Sequence, residues 1–63
     1  SSLFHISFVV MDGKGIRKDR VLHALDALDA RAQIKFFHSL DNQRIYIVSI
    51  SLYKAKPPLI SEN

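Results

Sequence analysis

A 63-residue chain without a single cysteine has to hold its shape with apolar residues alone. No disulfide can staple it, no thiolate zinc site can organise it, and it has no cysteine nucleophile. A chain of this length buries only about 60% of its unfolded surface, and so small a core rarely contributes more than ~3–5 kcal/mol. Small domains usually make up the difference with a disulfide, a metal or a partner. A partner chain is therefore the expectation here. The sequence starts Ser1-Ser2 without a methionine, as a piece of a longer protein would, so the expected partner is either a second copy or the rest of a parent protein.

Hydrophobic residues make up 48% of the chain and charged residues 24%, which is the balance of a globular domain and not of a disordered one. No apolar run approaches the ~18 residues of a membrane span, and no signal-peptide pattern is visible. Together with the missing cysteine, this points to the cytoplasm.

The clearest local signal is Leu3–Met11. Phe4, Ile6, Phe8 and Val10 alternate with His5, Ser7 and Val9, and period two with aromatic and β-branched residues predicts a strand. Asp12-Gly13-Lys14-Gly15 reads as a turn. Over 17–32, Val21, Leu25, Leu28 and Ala32 recur at helical spacing and predict a helix, although no strong N-cap precedes it. Residues 34–39 read as a second strand and 45–53 as a third. The turn at Leu40–Arg44 makes those two a hairpin. Pro57 and Pro58 mark residues 54–63 as an extended or flexible tail. The predicted fold is a small two-layer α+β domain over residues 1–53, in the order β-α-β-β, with one helix packed on one face of a three-stranded sheet.

One helix covers one face of such a sheet, so the other needs a lid. Taking Tyr46, Val48, Ile50 and Leu52 as the helix-facing side of the last strand leaves Ile45, Ile47, Ser49 and Ser51 on the open face, with Val9 and Phe37 from the other two strands. Small serines where Lys, Glu and Thr would mark a solvated surface suit close contact with another molecule. Val9, Phe37, Ile45, Ile47 and Ser49 are the predicted partner interface.

The net charge of +3 permits a nucleic-acid role without requiring one. Lys14, Arg17, Lys18 and Arg20 gather at the predicted loop–helix junction, and Arg44 precedes the last strand. They are the candidate anion or nucleic-acid contacts. The junction is neither a Walker A loop nor Gly-x-Gly-x-x-Gly. His5, His23 and His38 lack metal-ligand spacing, so no metal is assigned. His23, Asp26 and Asp29 lie on a polar helix side without a pocket, and no Gly-x-Ser-x-Gly elbow occurs. No catalytic residue, cofactor or enzymatic activity is therefore assigned.

Val10-Met11-Asp12-Gly13-Lys14-Gly15-Ile16 resembles the strand–loop–helix entry of ACT-type regulatory domains, and the likeness extends over residues 5–50. That resemblance implies a dimer sensing a small ligand at the loop. Lys14 stands where the family usually has proline, and a second helix and fourth strand are missing. Residues 17–53 also look like the last helix and wing of a winged-helix domain, with Arg44 before the wing strand, which would imply DNA or protein binding. The helices that precede this unit in that family have no counterpart here.

Three functions follow as expectations. The first is a non-catalytic binding or assembly module using the open sheet face, as a homodimer or as part of a larger protein. The second is an ACT-like ligand-sensing regulatory domain. The third is a nucleic-acid backbone binder.

Overall fold

The computed structural model describes residues 1–11 and 13–54. Strand β1 spans Ser2–Val10, β2 Arg17–Ala24 and β3 Ile45–Leu52, and the single helix α1 spans Ala27–Ser39. The sheet order is β2-β1-β3 and both pairings are antiparallel. One helix with three strands in an α+β arrangement is as expected, but the elements run β-β-α-β. Asp12 in the predicted turn and the tail from residue 55 onward lie outside the described residues.

The correction concerns residues 17–39. Residues 17–24, predicted helical, form β2. They close a hairpin on β1 with Val9 opposite Arg17 and Ser2 opposite Ala24. The connecting loop needs backbone angles that glycine supplies: Gly13 has φ 118° and Gly15 φ 67°. Within β2, Lys18, Arg20, Leu22 and Ala24 fall opposite Phe8, Ile6, Phe4 and Ser2, and the intervening residues face the other way. That is period two, and it displaces the helical reading of the same residues.

The helix starts ten residues later because its cap is there. Asp26 has extended backbone, and its carboxylate accepts the N–H of Asp29 at 2.8 Å. Asp29 in turn accepts the N–H of Leu25 at 2.9 Å. Gly15 and Ile16, which precede the predicted helix, have no acceptor side chain of that kind. Residues 34–39, predicted as a strand from their β-branched and aromatic content, complete this helix, because burying Ile34 outweighs local preference. The helix ends in a turn where Asn42 adopts φ 57°. Gln43 N–H bonds to the His38 carbonyl at 2.9 Å and Asn42 N–H to that of Ser39 at 3.0 Å, the pairing of a Schellman closure.

The core lies between α1 and the sheet. Phe4, Ile6, Phe8 and Val10 of β1 are buried with Ala24, Ala30 and Ile34. Leu22, Ile45, Ile47 and Ile50 pack around them. Central β1 is thus the hydrophobic spine, and each fully buried large side chain contributes about 1.5–3 kcal/mol. Gln33 fastens the helix to the end of β2, donating from its amide to the His23 carbonyl and to Asp29 Oδ2, both at 3.0 Å.

Candidate interaction surfaces

Strand β3 carries a bulge. Ile45, Ile47, Ile50 and Leu52 stand opposite Val10, Phe8, Ile6 and Phe4, all on the helix side. Tyr46, Ser49 and Ser51 stand opposite Val9, Ser7 and His5 on the open side. Val48 has no partner residue in β1. The extra residue reverses the alternation halfway along the strand. This overturns the expected facing of Ile45 and Ile47, which turn to the core and not to the open face. Phe37 moves as well: it sits on α1, half-exposed, and not on a strand. Of the predicted interface residues, the structure brings Val9 and Ser49 together on the open face, and Tyr46 joins them there.

The open face is a mixed surface. Leu3, His5, Ser7 and Val9 form its central row, Arg17, Asp19, Val21 and His23 one flank, and Tyr46, Ser49 and Ser51 the other. Side-chain bonds cross it. His5 Nε2 meets Asp19 Oδ1 at 2.9 Å, an exposed pair. Arg17 donates from Nε to the hydroxyl oxygen of Ser7 at 2.6 Å.

The candidate anion contacts divide between two faces and one loop. Lys14 lies exposed in the hairpin loop and Arg17 on the open face. Lys18 and Arg20 lie on the helix side of β2, where the Arg20 guanidinium stands 4.5 Å over the Phe37 ring. That cation–π contact occupies one face of the Phe37 ring. Arg44 precedes β3, and its carbonyl accepts the N–H of Met11 at 2.8 Å. The ladder therefore sets Arg44 at the same end of the sheet as Arg17, Lys18 and the Lys14 loop. Lys35 of α1 joins them, lining an open cleft of about 330 Å³ with Met11, Gln43, Arg44 and Ile45.

Sequence reasoning missed His38. Its ring packs against Phe8 with centroids 5.0 Å apart, and Nδ1 meets Gln43 Oε1 at 2.8 Å. Nε2 is buried with no hydrogen-bond partner among the described residues. Reading 34–39 as a strand hid this contact, because His38 reaches Phe8 only from a helix. Among the described residues, no three His, Asp or Glu side chains are placed to hold a metal, and no helix is long and apolar enough to cross a membrane.

The chain matches no known protein family, no curated protein and no solved structure.

Proposed function

We propose that this domain is a non-catalytic assembly module that works by associating with a partner, first of all a second copy of itself. One observation carries the reading. Among the described residues, seven hydrophobic side chains are buried while thirteen large ones are exposed. Leu25, just before α1, and Leu28 on it, both expected in the core stripe, are 78% and 73% exposed, and Phe36 on the helix and Leu40 just after it lie bare. Scattered exposed apolar residues are ordinary, but an excess over the core itself is what an unpaired half of an assembly presents. A cysteine-free chain of this kind suits the reducing cytoplasm. Sedimentation over a range of concentrations tests the reading. A concentration-dependent dimer supports it, and a stable monomer throughout overturns it.

A second reading has its own support. Lys14, Arg17, Lys18, Lys35 and Arg44 collect at one end of the sheet, as a phosphate-binding surface would require. Binding to mixed oligonucleotides that weakens steeply with salt would favour it; salt-independent or undetectable binding would remove it. The ACT-like alternative loses its footing, since the Gly13–Gly15 loop leads into β2 and not into a helix.

A further inference from the structure

The two edges of the sheet are built differently. Edge strand β2 opens with four consecutive charged residues, Arg17, Lys18, Asp19 and Arg20, the kind of guard that keeps an edge from pairing with another chain. Edge strand β3 reads Ile-Tyr-Ile-Val-Ser-Ile-Ser-Leu, with no charge, glycine or proline. Among the described residues, no strand lies beyond it. We infer that β3 is the pairing edge, and that it joins antiparallel to β3 of a second copy to make a six-stranded sheet. This rests on the assembly reading above and gives it a geometry.

The bulge fixes the register. Helix-side positions 45, 47, 50 and 52, and open-side positions 46 and 51, are arranged symmetrically about the Val48–Ser49 step. A two-fold axis through that step, perpendicular to the sheet, sets Ile45 of one copy opposite Leu52 of the other and Ile47 opposite Ile50. Tyr46 then meets Ser51 on the open face. Directly opposed residues of antiparallel strands share a face, so every core-side residue meets a core-side residue. The half-buried Ile45, Ile47 and Ile50 and the exposed Leu52 gain apolar neighbours, and the two cores become continuous along the sheet.

Two observations name a second copy as the occupant. A regular strand would leave one residue of β3 unmatched, as β1 does with Val48, whereas a second β3 in this register sets Val48 of each copy opposite Ser49 of the other. The charges flanking β3 also agree. The register sets Arg44 opposite Tyr53 and Lys54 opposite Gln43, so no cation faces a cation. A two-fold interface must be complementary to itself in this way.

The test combines sedimentation of the full chain and of Val48→Lys with oxidation of a Tyr46→Cys chain mixed with a Ser51→Cys chain. Val48 is exposed and unpaired with β1, so lysine there leaves the ladder intact while placing two like charges beside the axis. The wild type is expected to dimerise, and Val48→Lys to raise the dissociation constant about tenfold or more. The mixed pair should form a 46–51 disulfide faster than either variant forms one with itself, because opposed strand residues lie at disulfide distance. A wild-type chain that stays monomeric overturns the assembly reading and this geometry together. A wild-type dimer that survives Val48→Lys and gives no 46–51 cross-link keeps the assembly reading and overturns pairing through β3. Should Val48→Lys fail to fold, the cysteine pair decides alone.

Discussion

Arg17 reaches diagonally from β2 to Ser7 on β1, and its Nε donates to the serine hydroxyl at 2.6 Å. Ser7 is only 1% exposed although it lies on the uncovered side of the sheet. The arginine stem therefore acts as a partial lid, its carbons over the strand and its head in a hydrogen bond. Arg17→Ala is expected to cost about 0.5–1.5 kcal/mol, towards the lower end because water can then reach the hydroxyl. Urea unfolding measures it. A cost near zero would mean the contact contributes nothing to the fold.

The helix start makes a sharper prediction. Asp26 is the N-cap of α1, so Asp26→Ala should destabilise the domain by ~1 kcal/mol. Asp29→Ala should cost a similar amount, since it releases both the Leu25 N–H and the Gln33 amide. Thermal melts followed at the helical band would show both. The double variant should cost less than the sum, as the two carboxylates serve one structure.

His38 separates ring packing from polarity. His38→Phe keeps an aromatic ring against Phe8 and removes a buried nitrogen that has no partner among the described residues, at the loss of the bond to Gln43. Its stability should stay within ~1 kcal/mol of the wild type. His38→Ala empties the space instead and should cost ~2 kcal/mol or more. Equal losses in the two variants, read from urea midpoints, would show that the Gln43 bond matters more than the packing.

Val48 supports a deletion experiment. Without it the strand reads Ile-Tyr-Ile-Ser-Ile-Ser-Leu, an unbroken alternation in which every pairing with β1 is kept. A Val48 deletion should fold cooperatively and lose no more than ~1 kcal/mol, whereas deleting Tyr46 should throw Ile45 onto the wrong face and cost several times that. Amide dispersion and melting temperature distinguish the outcomes.

That deletion also explains what could be read in advance and what could not. The alternation of Phe4, Ile6, Phe8 and Val10 identifies β1 as a strand directly, because it is buried on the helix side and partly covered on the other; its central place in the sheet is not in that pattern. Strand β3 is equally visible as a strand, but its facing is not. A single inserted residue leaves β-propensity unchanged and reverses every side chain beyond it, so Ile45 and Ile47 were placed on the wrong side. The helix was misplaced for a different reason. Val21, Leu25, Leu28 and Ala32 carry helical spacing, yet Val21 belongs to β2, Leu25 precedes the helix, and the other two face solvent on α1. The helix buries only Ala30 and Ile34 and keeps apolar residues on its outer side, so the widest stripe was not the inward one. The cap was the better guide. Asp26 and Asp29, set three residues apart, mark the true start more firmly than the spacing of leucines.

The unequal margins of the sheet carry a last consequence. If bare β3 is used up in joining two copies, the outermost strands of the pair are both β2, each opening with Arg17-Lys18-Asp19-Arg20. Further addition at either end would set those charged rows against one another, and growth would halt at a closed body instead of running on into a fibril. The same strand that looks like an aggregation hazard in isolation would then be harmless, because the opposite border of the molecule acts as its terminator.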